Sequence, residues 1–160
     1  MSPGELVERL ATVQAGTGGV TPSSGAQLLL LDVREPAEFA VSHIPGAINV
    51  SPSAHTSSNA VRAIIASAKA HSGASEVVCY CSVGVRSSQL ALAISAVEPR
   101  LVGHVHNLDG SIFRWANQGR QLVGTSGHPT ATVHPYSSMW SRLVRADLRS
   151  WQPAIDAKED

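Results

Sequence analysis

Short apolar runs alternate with segments of helical periodicity through the first 120 residues of this chain. Residues 28–33 are almost entirely apolar, as expected of a strand buried on both faces. The pattern predicts strands at 28–33, 47–50, 76–80 and 102–108, with helices near 2–13, 35–41, 58–68, 87–97 and 112–117. Such alternation favours an α/β fold in which helices cover both faces of a parallel sheet. Functional sites in these folds form at the carboxyl ends of the strands.

Composition and charge exclude several classes of function. The hydrophobic fraction of 43% is enough for a core without metals or disulfide staples, and positive and negative charges balance at 12 each. A neutral chain is not expected to bind nucleic acid. No apolar run approaches the roughly 20 residues that span a bilayer, so no membrane association is expected. The first residues lack a signal-like pattern, which predicts a cytoplasmic protein.

The chain changes character after about residue 120. We predict one domain at 1–123, followed by a linker and a C-terminal extension at 124–160. The linker is rich in Gly, Thr, His and Pro, and the extension is predicted to form one amphipathic helix. The apolar positions of that helix are Trp140, Leu143, Val144, Leu148 and Trp151. The extension could pack on its own domain, which we favour, or meet a partner protein.

The two cysteines lie at the end of one predicted strand, and only the second is expected to react. Cys79 sits inside the strand, which favours a structural role, whereas Cys81 begins the loop that leads into the next helix. Two residues apart on one strand, the thiols are poorly placed for a disulfide. Backbone N–H groups, the helix dipole and the Arg86 cation should together hold the pKa of Cys81 below the usual thiol value of about 8.5. A thiolate, or a persulfide anion, suits this loop.

Three segments resemble the rhodanese family in the right order and spacing. Residues 31–35, 38–39 and 43–50 resemble its first signature, residues 81–87 resemble its active loop, and residues 107–110 with Trp115 resemble its closing segment. The resemblance covers roughly residues 5–123. It implies a rhodanese-like α/β fold with a five-stranded parallel sheet and helices on both faces.

The resemblance also implies a function, that of a thiosulfate sulfurtransferase. Cys81 would attack thiosulfate or a related sulfane-sulfur donor, carry a persulfide, and pass the sulfur to a thiol or to cyanide. The substrate-binding residues would be Ser82, Val83, Gly84, Val85 and Arg86, whose backbone amides stabilise the persulfide while Arg86 attracts the anionic donor. Asp32 and Arg34 would support the site through an ion-pair network, with Glu38 as the partner of Arg34. No cofactor or metal is expected, and a protein could serve as sulfur donor or acceptor.

Two other functions remain open at this point. A phosphatase or arsenate reductase on the same fold needs a longer loop between cysteine and arginine, and its usual histidine before the cysteine is replaced by Tyr80. The shorter loop suits one sulfur atom better than a phosphate. The other alternative is a sulfur-carrier or docking module that receives persulfide from a partner protein; it would keep the same loop.

Overall fold

The computed structural model describes residues 1–15, 28–72 and 75–153. Its helices are α1 (Pro3–Ala15), α2 (Pro36–Val41), α3 (Ser58–Ser72), α4 (Val85–Val97) and α5 (Ser111–Asn117). Its strands are β1 (Leu28–Asp32), β2 (Ile48–Asn49), β3 (Glu76–Tyr80), β4 (Val105–Asn107), β5 (Leu122–Val123) and β6 (Pro129–Thr130). Short 3-10 turns occupy Ala54–Thr56, Pro99–Leu101, Trp140–Leu143 and Ala146–Leu148. The predicted α/β alternation is confirmed.

The central sheet is parallel and has the order β2-β1-β3-β4. The register pairs Leu31 of β1 with Cys79 of β3, and Cys79 in turn with Asn107 of β4. All three strands therefore end at the same edge of the sheet. This edge is where Cys81 emerges from β3 and where the closing segment leaves β4.

Alternate residues of the strands feed two separate cores, one on each face of the sheet. Leu30, Val78 and Tyr80 pack with residues of α1, α5 and the C-terminal segment. Leu31, Cys79 and Cys81 point the other way, toward α3 and α4. Both cysteines thus share one face. The buried sheet explains why its strands read as continuous apolar runs.

The expectation of five parallel strands is not met by the described residues, which form four. Residue Val123 of β5 instead exchanges both backbone hydrogen bonds with His43, its N–H lying 3.0 Å from the His43 oxygen and its oxygen 2.9 Å from the His43 N–H. This bridge is antiparallel and lies in the turn before β2. The chain then turns back and pairs β5 with β6 in an antiparallel ribbon. Both β5 and β6 therefore belong to a separate two-stranded sheet.

The prediction of an amphipathic α-helix in the C-terminal extension is wrong. Its apolar residues are spaced for a helix, but side chains form hydrogen bonds to backbone N–H and C=O groups that a helix would pair with each other. The Asn117 side chain binds the Leu143 oxygen and the Arg145 N–H, and the Arg149 guanidinium donates to the Val144 oxygen at 2.7 Å and 2.9 Å. In the described part of this predicted helix, up to residue 153, the chain forms two 3-10 turns instead.

The extension nevertheless packs on the rest of the chain. Val133, Val144 and Leu148 lie in the same buried cluster as Leu30 and Val78 of the sheet. Val133 also exchanges backbone hydrogen bonds with Leu148 and Ser150. The boundary between residues 123 and 124 stays a prediction. Within the described ranges, no helix has the length and apolarity to cross a bilayer.

Candidate active site

A sharp turn after β3 places Cys81 beneath the first turn of α4. Gly84 precedes that helix with a φ of +111°, a left-handed conformation that side-chain-bearing residues rarely adopt. The turn lets α4 begin at Val85, two residues earlier than the sequence predicted. The Gly84 N–H then lies 3.1 Å from the Cys81 sulfur. A side chain on Gly84 would also approach the Asn107 amide, at 3.3 Å from an ideal Cβ.

The Cys81 thiol is 1% exposed, yet its surroundings favour the anion. Burial raises its pKa, but the Ser87 hydroxyl and the backbone N–H groups of Ser87, Gly84 and Val83 outweigh burial and hold the pKa below its ordinary value. Cys79 meets no such donors, and burial raises its pKa to about 12. Because the thiolate is the nucleophilic form, we expect Cys81 to be the more reactive of the two thiols.

Asn107 at the end of β4 clamps the loop from the other side. Its Nδ2 donates to the Gly84 oxygen at 3.0 Å, and this contact fixes the amide so that its oxygen accepts from the Ser87 hydroxyl at 2.7 Å. The Ser87 hydroxyl has one proton and can serve either Asn107 or the Cys81 sulfur at a given moment. A charged sulfur is the stronger acceptor, so ionisation of Cys81 draws the proton toward it.

Ser111 holds the base of the loop. Its Oγ accepts a hydrogen bond from the Cys81 N–H at 3.2 Å, and the Ile112 N–H donates to the Cys81 oxygen at 3.1 Å. Ser111 has a φ of +48° and directly follows Gly110, whose φ is +66°. The serine thus adopts a left-handed conformation, and its hydroxyl makes a contact to the Cys81 backbone that glycine could not make.

Arg86 is bound to Glu38, which corrects the expectation that Glu38 would pair with Arg34. Both terminal nitrogens of Arg86 contact the Glu38 carboxylate, at 2.6 Å and 2.9 Å, and one of them also lies 2.8 Å from the Ser82 hydroxyl. Ser82 in turn donates to Glu38 at 2.9 Å. Burial raises the pKa of Glu38, but the hydrogen bonds and charge of Arg86 bring it below its ordinary value.

Asp32 and Arg34 form a separate, fully buried pair. The Arg34 Nε and Nη2 contact the Asp32 carboxylate at 2.9 Å and 2.6 Å, and Nη2 also donates to the Ser42 oxygen. Both side chains are 0% exposed. They brace the ends of β1 and the turn before β2, and neither is exposed to a molecule in solution.

The C-terminal extension reaches this site through Tyr136. The Arg86 guanidinium carbon lies 4.6 Å from the centre of the Tyr136 ring, a cation–π contact. Tyr136 has a φ of +65° and is 44% exposed. Its backbone N–H donates to Nδ1 of His134 at 3.0 Å, which holds the unusual turn. One face of the guanidinium is therefore covered by a residue far along the chain.

The structure brings the predicted loop residues together around Cys81 and sets Asp32 and Arg34 apart from it. Ser82 is buried, Val83 is half-buried and Val85 is 58% exposed. Sequence reasoning missed the roles of Glu38, Asn107 and Tyr136. Glu38 and Asn107 lie in segments that resemble the family, residues 38–39 and 107–110, and this was the available signal for them; Tyr136 lies outside these segments. Among the described residues, no group of three or more His, Cys, Asp or Glu side chains could hold a metal ion.

A family model described as the rhodanese-like domain matches residues 21–118, more than half of the chain. The chain belongs to the rhodanese-like family. It is 34% identical over 95 residues to the probable adenylyltransferase/sulfurtransferase MoeZ of Mycobacterium tuberculosis. That match covers 59% of this chain and 22% of MoeZ, so the chain spans about a fifth of its relative's length.

Solved structures agree on the rhodanese-like fold. The BH2092 protein of Bacillus halodurans matches with a TM-score of 0.55 at 18% identity, over 89% of this chain and 88% of that one. A rhodanese-related protein from Thermoplasma volcanium has a TM-score of 0.52 at 20% identity, over 77% and 95% of the two chains. A yeast protein tyrosine phosphatase of the rhodanese family has a TM-score of 0.53 at 16% identity, over 72% and 81%. At such identities the similarity concerns the fold alone.

Proposed function

We propose that this protein is a sulfurtransferase that moves a sulfane sulfur through a persulfide on Cys81. The observation that carries the proposal is the thiol itself, which is buried beneath converging N–H groups that lower its pKa. A site of this kind stabilises an anion on one sulfur atom. The related MoeZ protein is named as a sulfurtransferase, which supports the same chemistry here.

In the first step the Cys81 thiolate attacks the outer sulfur of a donor such as thiosulfate. A new sulfur–sulfur bond forms on Cys81, the old one breaks, and sulfite leaves with the bonding electron pair. In the second step a thiol or cyanide attacks the outer sulfur of the Cys81 persulfide, and the Cys81 thiolate is released. The N–H groups of Val83, Gly84 and Ser87 serve both anions, the thiolate and the persulfide.

The remaining loop residues hold this arrangement in place. Gly84 supplies the turn, Ser82 ties the loop to Glu38, and Arg86 fixes the first turn of α4 against the same carboxylate. Val83 and Val85 give the rim an apolar character. Asp32 and Arg34 support the site through the strand ends without contacting the donor.

A second candidate is a sulfur-carrier module that takes persulfide from a partner protein. The exposed side chain of Val85, at the rim of the loop, favours the carrier function, because an apolar rim is better suited to contact a partner protein than to bind a small anion. The chemistry on Cys81 is the same, and the source of the sulfur differs. Phosphatase activity is less favoured, since Cys81 and Arg86 are separated by only four residues and Arg86 is already bound by Glu38.

The test is the intact mass of the reduced protein before and after thiosulfate. We expect a gain of one sulfur atom, which cyanide removes as thiocyanate. Cys81→Ser should lose the gain, while Cys79→Ala, which removes the neighbouring thiol on the same face of β3, should keep it. A gain that persists in Cys81→Ser would refute the role of Cys81. If thiosulfate gives no gain and a persulfide-loaded donor protein does, the carrier function replaces thiosulfate chemistry; hydrolysis of p-nitrophenyl phosphate would instead support the phosphatase.

A further inference from the structure

Arg86 is the one cation in the loop between Cys81 and Ser87, and its charge is already matched. Both of its terminal nitrogens contact the Glu38 carboxylate, and one also contacts the Ser82 hydroxyl. Glu38 is 3% exposed, so its carboxylate is shielded from water and accepts hydrogen bonds from Arg86 and Ser82 instead. The ion pair is electrically neutral as a unit, so its attraction for an anionic donor is weak.

Tyr136 covers a face of the same guanidinium. Its ring centre lies 4.6 Å from the Arg86 guanidinium carbon, so an approaching anion cannot stack on that face. The residue lies outside the segment 21–118 that matches the family model. Its backbone is held at a φ of +65°, a conformation that costs a tyrosine energy and that the His134 contact maintains. The cover is therefore a feature of this chain's own extension.

Three residues beside Cys81 or Arg86 expose apolar surface to solvent, and together they are called the rim here. Val83 is half-buried, Val85 is 58% exposed and Tyr136 is 44% exposed. An apolar rim beside a neutralised cation gives a doubly charged donor little to replace the water it must shed. A donor with one charge and an organic substituent loses less hydration and can bury its substituent against the rim.

We propose that this site selects sulfane-sulfur donors that carry an organic substituent and at most one negative charge over dianionic thiosulfate, and that Tyr136 determines this selection. The natural members of this class are organic persulfides, whose sulfur is borne on a thiol. The inference rests on the proposed function, because it concerns the donor of the same Cys81 reaction. The proposed function does not distinguish among sulfane-sulfur donors, and this inference predicts which of them react faster.

The reaction with each donor balances in the same way. With methanethiosulfonate, the Cys81 thiolate forms a bond to the outer sulfur, the donor's sulfur–sulfur bond breaks, and methanesulfinate leaves with the electron pair. With a protonated organic persulfide, the leaving group is the organic thiolate, and the proton stays on the new Cys81 persulfide or passes to water. No oxidant or reductant is consumed.

The test compares thiosulfate with methanethiosulfonate, a monoanion that has a methyl group in place of one charged oxygen. The rate constant for sulfur gain on Cys81 is measured for each donor in a single turnover. It is then divided by the rate constant of the same donor with a small free thiol, which removes the difference in intrinsic reactivity. We expect the normalised value to favour methanethiosulfonate by about tenfold in the natural protein, as a one-charge difference near a protein surface allows.

Variants of Tyr136 separate its role from general loss of structure. Tyr136→Asn keeps a residue that tolerates the left-handed conformation but removes the ring, and should raise the thiosulfate rate constant by about threefold to tenfold relative to methanethiosulfonate. Tyr136→Phe retains the ring and should restore the natural ratio. Met139→Ala, at a tail residue that is 76% exposed, is the matched control and should leave both rates unchanged.

The outcomes distinguish this inference from the function on which it rests. A normalised preference for thiosulfate, or a ratio that Tyr136→Asn does not move, overturns the selection proposal while sulfur transfer itself stands. Sulfur gain from neither donor refutes the sulfurtransferase proposal, and the donor selection with it. If Tyr136→Phe gave the same donor ratio as Tyr136→Asn, the effect would belong to the phenol hydroxyl, and the role of the ring would be overturned.

Discussion

Replacing Glu38 by glutamine tests the electrostatic centre of the site. The carboxylate is 3% exposed and accepts from both terminal nitrogens of Arg86, from the Ser82 hydroxyl and from the Glu35 N–H at 3.0 Å. Glutamine keeps the size but loses the charge and one acceptor. Removing one partner of a buried pair costs about 3–5 kcal/mol. Because the Arg86 side chain is 18% exposed and keeps some hydration, we expect Glu38→Gln to lower the free energy of unfolding by about 2–4 kcal/mol.

The same contact predicts a pH dependence. The pKa of Glu38 is lowered in the folded protein from an ordinary value of 4.5, so the unfolded chain binds its proton more readily. The stabilisation is therefore complete above pH 4.5 and is lost as the pH falls through the folded pKa. The difference between the natural protein and Glu38→Gln should shrink below about pH 4 and be constant between pH 6 and 8.

Urea unfolding followed by tryptophan fluorescence measures both effects. Glu8→Gln on the exposed face of α1 is the matched control and should change the free energy of unfolding by less than about 0.5 kcal/mol. If Glu38→Gln lowered the free energy of unfolding no more than the control does, the ion pair between Arg86 and Glu38 would not stabilise the fold. A loss that stays the same down to the acid limit of folding would refute ionisation of Glu38 as its cause.

Three further predictions concern the loop. Asn107→Ala should slow sulfur gain on Cys81 and lower the free energy of unfolding by about 1–3 kcal/mol, because Gly84 and Ser87 lose their hydrogen-bond partner. Stopped-flow sulfur transfer and urea unfolding measure the two effects, and an unaltered transfer rate would contradict the prediction. Gly84→Ala should be destabilising by about 1–3 kcal/mol at its φ of +111°, and a neutral urea midpoint would refute the strained turn. The alkylation of Cys81 by iodoacetamide should show an apparent pKa below that of an ordinary thiol, and Ser87→Ala should move that pKa upward. Cys79 should stay unmodified in peptide mass analysis.

Local patterns carried most of the fold prediction. The strands were recognisable because a sheet covered on both faces requires unbroken apolar runs, and β1 and β3 lie within the predicted ranges. The Cys81 loop was recognisable because strand, turn and helix start follow one another within a few residues. The start of α1 is local in the same sense, because Ser2 and Glu5, three residues apart, exchange the reciprocal hydrogen bonds of a capping box.

Contacts between distant residues could not be predicted in the same way. The resemblance to the rhodanese family implied Glu38 as the partner of Arg34, but Asp32 reaches Arg34 with a bidentate contact from two residues away. The C-terminal helix failed for a related reason, since the Asn117 side chain takes backbone groups 26 and 28 residues away. Periodicity describes how a segment could fold alone and contains no information about competing partners elsewhere.

The pairing of Arg34 with Asp32 decides what Arg86 can do. Arg34 pairs with Asp32, and the Glu38 carboxylate faces α4, where it accepts from both terminal nitrogens of Arg86. Two neutral ion pairs result, and the charge on Cys81 is then stabilised chiefly by N–H groups of the loop and by the Ser87 hydroxyl. Dipoles fixed by the backbone favour an anion on the sulfur they surround and give little attraction to a charged donor at a distance. We therefore expect the loop to stabilise the Cys81 anion strongly but to attract dianionic donors weakly. The Tyr136 ring, which covers Arg86, weakens that attraction further.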